Sequence, residues 1–286
     1  MIGILGISHK TAHIKIRESY YLTGEEIIPF SEFVLQQSDI SEIVVLSTCN
    51  RTEIYFYAEQ TKGKKPFKEL IALLNTYKGI TKDHAASFYS YSDKEAVKHL
   101  FRVTSGMDSM LVGEDQIVSQ VKECYLKCTA EALTNAILMR LFQKSFETSK
   151  QVRSETNMQQ GATSLSYVAV EMCVNKYKDI QNKTILVIGA GETGKIALNY
   201  FKKHGADNFF LTNRTHDKAI ELKNKYGGTA ISFERFKQFL PQSDIIITAT
   251  ESSSHLISTK DVEQYSHNGS TNPQMFLDLS VPRNIE

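Results

Sequence analysis

Hydrophobic and polar positions divide the chain into three stretches of different period. Between residues 1 and 91, apolar runs of strand length alternate with helical segments. A strand is predicted at about 2–8, then a helix whose start is marked by Thr23 with Glu26 three residues on, the spacing of a capping box. Ile43-Val44-Val45-Leu46 and Ile54-Tyr55-Phe56-Tyr57 read as two strands flanking the polar turn Ser47-Thr48-Cys49-Asn50-Arg51-Thr52-Glu53. A helix at about 66–77 follows, with Pro66 early and Gly79 past its end, and then an aromatic strand, Phe88-Tyr89-Ser90-Tyr91. The order β-α-β-β-α-β predicts a split, ferredoxin-like sheet with helices on one face and the other face still to be covered.

From Ser92 to about Lys178 the period becomes helical. Ser92 with Glu95 reads as a second capping box ahead of the helix at 96–103. A polar break over 105–117 separates it from helices at about 115–128 and 133–155. The second carries Leu133, Ile137, Leu138, Leu141, Phe142 and Phe146 at helical spacing. Gly161 interrupts before a helix starting near Thr163, so the boundary is placed around 155–162, giving domains 1–158 and 159–286.

Residues 182–286 alternate strands with helices, the pattern of a parallel sheet. Strand 184–188 runs into Gly189-Ala190-Gly191-Glu192-Thr193-Gly194 and then a helix to about Lys203, which is G-x-G-x-x-G between a strand and a helix. Gly189 allows the tight turn, Gly191 the approach of a pyrophosphate, and Gly194 close helix–strand packing. The helix start turns its free N–H groups towards the phosphates. The next strand, 208–212, ends at Asn213-Arg214-Thr215, where an NAD site carries an acidic residue. A neutral Asn and an Arg suit a 2′-phosphate, so NADPH is expected over NADH. Strand 244–248 leads to a loop at 249–253 expected over the cofactor, with Thr250 in it. A last strand is expected at 275–280, and the abrupt end six residues later reads as a chain cut short at its C-terminus.

Composition narrows the class. Of 286 residues, 41% are hydrophobic and 23% charged, as in globular proteins. No apolar run reaches the roughly 18 residues of a membrane helix, and the first eight residues read as a strand and not a signal peptide. Four cysteines make no disulfide framework and no His/Cys spacing suits zinc; a reduced, metal-free, cytoplasmic protein is expected. A net charge of +1 excludes coating of nucleic acid by bulk charge, so RNA would need a local patch. Lys62, Lys64, Lys65 and Lys68, or Arg140, Lys144, Lys150 and Arg153, are the candidates.

Cys49 is the candidate nucleophile, because a turn between two strands holds it within reach of a substrate. A thiol of ordinary pKa near 8.5 is only a few per cent thiolate at neutral pH, and Arg51, always cationic, would favour the thiolate or hold an anionic group. Cys124, Cys128 and Cys173 lie on helices and read as packing.

The segments Gly6-Ile7-Ser8-His9-Lys10-Thr11-Ala12 and Ser47–Glu53 resemble glutamyl-tRNA reductase. So do 105–109, Gly113-Glu114-Asp115-Gln116-Ile117, 189–194 and Asp278-Leu-Ser-Val-Pro-Arg283, in the family's order over essentially the whole chain. The resemblance implies an N-terminal ferredoxin-like catalytic domain with added helices, then a Rossmann-type NADPH domain. The helical C-terminal domain that joins family members as dimers is absent here, which puts dimer formation in doubt. It implies that Cys49 attacks the ester of glutamyl-tRNA to give a thioester. NADPH then reduces this to glutamate-1-semialdehyde, the first step of tetrapyrrole biosynthesis, and an aminomutase receives the aldehyde. Carried over by position, Arg51 would hold a carboxylate, while Thr48, Ser109, Glu114, Gln116 and Gln120 would line the pocket, with Glu114 pairing with the substrate ammonium. His99 would assist the thiolate or orient the ester. Two rivals are a shikimate-dehydrogenase-like NADP reductase and a non-catalytic, NADPH-responsive tRNA-binding regulator, neither of which needs a nucleophile in the Ser47–Glu53 stretch.

Overall fold

The computed structural model of the chain describes residues 1–59, 65–111, 113, 116–156, 164–266 and 273–286. It divides into two units, Met1–Thr163 and Ser164–Glu286. The predicted boundary falls largely on 157–163, outside the described residues.

In the first unit β1 (Ile2–Ser8), β2 (Ile40–Ser47), β3 (Arg51–Ala58) and β4 (Tyr89–Ser92) form an antiparallel sheet in the order β2-β3-β1-β4, the ferredoxin-like arrangement. A short helix α1 (Ile14–Ser19) precedes α2 (Ile27–Gln37); six residues carry too little apolar stripe to predict. On one face, Phe56 of β3 meets Phe67 of α3 (Pro66–Lys78) at 5.6 Å between ring centres, and Phe30 of α2 meets Tyr77 at 5.2 Å. The opposite face is covered by α4 (Asp93–Thr104), α5 (Gln116–Ala130) and α6 (Ala136–Glu155), where Phe142 packs on Tyr55 and stacks with Tyr125. The buried Glu42 of β2 fastens α6 to the sheet. Its carboxylate accepts the Asn135, Ile137 and Leu138 amides at 2.9, 3.2 and 2.8 Å, so the helix start finds both partners and a compensating charge.

The capping boxes are only partly realised. The Thr23 amide donates to Glu26 Oε2 at 2.8 Å, but Ser92 makes no side-chain cap. Asp93 takes a left-handed φ of 44° instead and its carboxylate accepts the Ile2 amide at 3.0 Å, because β4 passes into α4 without a loop.

The second unit is a parallel sheet in the order β7-β6-β5-β8-β9, built from β5 (Ile185–Ile188), β6 (Phe209–Thr212), β7 (Thr229–Ala230), β8 (Ile245–Thr248) and β9 (Met275–Asp278). Its helices are α7 (Leu165–Tyr177), α8 (Glu192–Lys203), α9 (His216–Tyr226) and α10 (Thr259–Ser266). Strand order reverses between β5 and β8, the crevice where such sheets bind dinucleotides. The last strand stops at Asp278, not 280, because the Asp278 carboxylate accepts the Ser280, Asn284 and Ile285 amides and turns the chain back. Among the described residues no helix is long and apolar enough to cross a membrane.

Candidate active site

The turn between β2 and β3 is shaped by Thr48. Its amide donates to the Arg51 carbonyl at 2.8 Å, and its hydroxyl accepts the Asn50 and Arg51 amides at 3.3 and 3.2 Å. The hydroxyl expected in a substrate pocket is therefore engaged in the turn that presents Cys49. Two further segments clasp this turn. His9, after β1, donates its amide to the Asn50 carbonyl at 2.9 Å, and Arg17 of α1 donates Nη1 to the Cys49 carbonyl at 2.5 Å. The Arg17 guanidinium also lies within electrostatic reach of Cys49.

Two atoms beside this turn are buried without a hydrogen-bond partner, Arg17 Nε and His9 Nδ1. Burial first, then the cations Arg51, Lys10 and Arg17, push the His9 imidazole below its ordinary value of 6.5, so it is neutral at pH 7. The helical cysteines are unlike Cys49: burial pushes Cys124 and Cys173 up to about 12 and raises Cys128 as well, so none supplies a thiolate.

Arg51 is only 2% exposed. Its Nη1 donates to Glu53 at 2.8 Å, and its Nη2 to the Asp108 carbonyl and Oδ2 at 2.6 and 3.1 Å. A substrate carboxylate can reach this guanidinium only by displacing Asp108, which Lys10 also holds at 2.6 Å. Glu53, fully buried, accepts from Arg51, from the Tyr55 and Tyr89 hydroxyls, and at 2.8 Å from His99 Nε2. Burial opposes its ionisation, yet Arg51 and His99 outweigh that and hold the carboxyl far below its usual range. An ionised carboxylate only accepts, so His99 Nε2 carries the proton. Gly6 makes the cluster possible. Paired with both Glu53 and Tyr89 across the sheet, it leaves the space the Tyr89 ring occupies; a Cβ there would stand 2.5 Å from the ring.

The remaining predicted residues are spread over the polar break and α5. Ser109 lies in a bend after α4, its amide 3.4 Å from the Gly106 carbonyl. Gln116 opens α5 and Gln120 lies one turn on, both half-buried. Glu114 falls outside the described residues, as do Lys62 and Lys64 of the first basic group. Lys65 and Lys68 are exposed, and Lys150 and Arg153 of the second group line a cavity of about 370 Å³ beside Phe146.

In the second unit the glycine loop fits a dinucleotide. Gly189 has φ +116° and packs so closely on the loop after β8 that a Cβ would meet the Ala249 carbonyl oxygen at 2.2 Å and the Thr250 methyl at 3.0 Å. A Cβ on Gly194 would meet the Gly189 oxygen at 2.5 Å, whereas at Gly191, the N-cap of α8, nothing comes nearer than 4.0 Å. That leaves open space before the free amides of α8, where Glu192 is exposed and Thr193 half-buried. Asn213 holds the loop by accepting the Ala190 amide at 3.2 Å and donating to the Thr215 carbonyl at 3.1 Å. Arg214 and Thr215 are exposed beside it. Thr250 donates its hydroxyl to Asn284 and its amide to Ser280 at 3.1 Å, fixing the loop that borders Gly189.

Arg17, His9, Lys10 and Asp108 belong to the site without having been singled out individually in the sequence. The signal for the first three was their place in or just after the Gly6–Ala12 segment, and for Asp108 its place inside the 105–109 segment.

Residues 5–156 match the family model described as the glutamyl-tRNAGlu reductase N-terminal domain, and residues 171–286 that of shikimate / quinate 5-dehydrogenase. The glutamyl-tRNA reductase of Sulfurihydrogenibium sp. (strain YO3AOP1) is 36% identical over 98% of this chain and 64% of its own length. That of Aquifex aeolicus is 34% identical over 100% and 69%. Among solved structures, glutamyl-tRNA reductase from Methanopyrus kandleri is similar with a TM-score of 0.53 and 30% identity, over 100% of this chain and 67% of that one. The chain thus spans about two thirds of the length of these relatives.

Proposed function

The chain belongs to the glutamyl-tRNA reductase family, and on that premise we propose that it carries the capture and reduction steps of that reaction, with glutamyl-tRNA as substrate. The observation that carries this reading is the Cys49 turn, clasped by His9 and Arg17 and followed by the buried Arg51. The Cys49 sulfur attacks the ester carbonyl that joins glutamate to the tRNA 3′ end. A C–S bond forms, the C–O bond breaks, and the tRNA leaves with its hydroxyl reprotonated. Arg17 Nε and His9 Nδ1 are partners for the oxygens that change charge in this step, since a buried polar atom left bare by the protein calls for a substrate group. The product is a glutamyl thioester, so one hard reduction is divided into two feasible steps.

A nicotinamide cofactor fits the second unit, held by Gly189–Gly194 at the start of α8 with Thr250 alongside, and when bound it supplies the hydride that converts the thioester to glutamate-1-semialdehyde. We assign NADPH because Arg214 is an exposed cation past β6 where an acidic residue would serve NADH. Arg214→Ala is expected to weaken NADPH by about 10- to 100-fold, the loss of a charge-assisted phosphate contact, while NADH changes little. Titrating both cofactors checks this, and an unchanged NADPH/NADH ratio removes Arg214 from the role. We further infer that the labile aldehyde is handed to an aminomutase at the head of tetrapyrrole synthesis and that the reaction runs in the cytoplasm. A match over residues 5–156 favours this reading over a shikimate-dehydrogenase-like reductase, which would explain the second unit alone.

The test is mass spectrometry of the chain after mixing with glutamyl-tRNA in the absence of NADPH. A glutamyl adduct on the peptide containing Cys49, discharged as aldehyde when NADPH is added, is expected. Glutamyl-tRNA that is neither bound nor cleaved would overturn the assignment.

A further inference from the structure

A cavity of about 340 Å³ opens in the first unit between the end of β1, the edge strand β4 and α4. It shares a wall with the Cys49 region. Ser8 pairs with Arg51 across the sheet, and Asp108 binds Arg51 and Lys10 at once. Its aromatic side is built from Tyr89, Tyr91 and His99. Tyr91 lies 4.8 Å from the His99 ring at 33° and 5.5 Å from Tyr89. Tyr89 is committed to Glu53 through its hydroxyl, so Tyr91, 36% exposed, is the ring that offers a surface.

Its other side is charged. Glu95, Lys98, His99 and Arg102 fall on one face of α4 by their i, i+3, i+4, i+7 spacing, and all four line the cavity. Lys98 and Arg102 are exposed and form no ion pair among the described residues. Lys10 adds a third cation at the rim. Against these stand Glu95 and Asp108, the latter already paired twice. An aromatic platform flanked by unpaired cations is the equipment for one nucleotide of a single strand, the base stacking on the ring and the phosphate meeting the cations.

We infer that this cavity seats the unpaired 3′-terminal nucleotide of an RNA, with the base on Tyr91 and its phosphate at Lys98 and Arg102, so that the acyl group it carries is delivered past Ser8 and Asp108 to Cys49. The inference rests on the reductase reading and adds to it the place where the tRNA end is gripped. None of these residues belongs to the basic groups visible in the sequence; β4 and α4 bring them together only in the fold.

The experiment uses the 286-residue chain and a labelled acceptor-stem RNA ending in unpaired CCA, with the same RNA lacking its terminal A as the second probe. Tyr91→Ala is expected to weaken the complete RNA about 10-fold and the shortened RNA hardly at all, since a stacked base is lost only from the first. Lys98→Ala with Arg102→Ala is expected to weaken both and to lower the slope of log affinity against log salt by one to two. All three side chains are partly or fully solvent-facing, and unchanged alkylation of Cys49 verifies that the variants fold. Wild-type affinity for the complete RNA in Tyr91→Ala, or a loss confined to NADPH binding in the double variant, overturns the inference. Thioester formation by the wild-type chain, measured alongside, separates the two levels. If it occurs while the variants bind RNA normally, only the cavity assignment falls. If wild type neither binds RNA nor forms the adduct, the reductase reading falls with it.

Discussion

Replacing Cys49 by serine is expected to lower single-turnover aldehyde formation by about 10³-fold or more and to remove the glutamyl–protein adduct. The reason lies in how readily each group ionises. A thiol of ordinary pKa near 8.5 already holds a few per cent of thiolate at neutral pH. A serine hydroxyl ionises many units higher and would need a general base. No other cysteine can take over, because burial pushes Cys124 and Cys173 up to about 12 and raises Cys128. Binding of RNA should survive the change, so adduct and affinity are measured together on the same preparation. A serine variant that still forms aldehyde at the wild-type rate removes Cys49 from the mechanism. One that loses RNA binding as well shows that the substitution has damaged the turn and not only the nucleophile.

The strands around 43–57 and the glycine loop at 189–194 were legible because each is specified locally, by alternation in one case and by a strand–turn–helix motif in the other. Their boundaries move by one to three residues in the structure for reasons that lie elsewhere in the chain, as when Asp278 gathers three amides and ends β9 early. What could not be read was partnership. Arg51 looks in sequence like a cation beside a nucleophile; only the register Ser8↔Arg51 and Gly6↔Glu53 reveals that it is buried between Glu53 and Asp108. Asn213 looks like a cofactor ligand and spends its side chain bracing the glycine loop. His99 stood out only through the resemblance, because its partner Glu53 lies 46 residues away in the chain. Such pairings are long-range products of sheet register, and neither periodicity nor spacing encodes them.

Glu53→Gln is expected to destabilise the first unit by about 3–5 kcal/mol at pH 7 and to depress capture of the glutamyl group with it. The carboxylate, itself fully buried, satisfies four donors at once, those of Arg51, Tyr55, Tyr89 and His99. An amide offers one acceptor oxygen and two donors of its own, so the Arg51 charge loses its closest counter-ion and at least one tyrosine hydroxyl its acceptor. The loss should also depend on pH, in a direction fixed by linkage. The native carboxyl titrates far below its ordinary value of 4.5, so it stays ionised in acid where the unfolded chain takes up a proton. Its stabilisation is therefore complete above about 4.5 and drains away as pH falls from there towards the native value. The gap between wild type and variant should be widest at neutral pH and narrow below 4.5. Amide exchange of the β1–β3 ladder reads the opening free energy of this unit separately from the second, which a global melt of a two-unit chain would not. A gap that stayed constant as pH fell from 7 to well below 4.5 would mean that packing, and not the charge on Glu53, holds the cluster. Capture lost at pH 7 in a variant whose exchange matches wild type would instead place Glu53 in the chemistry, through His99 and Arg51, with no part in stability.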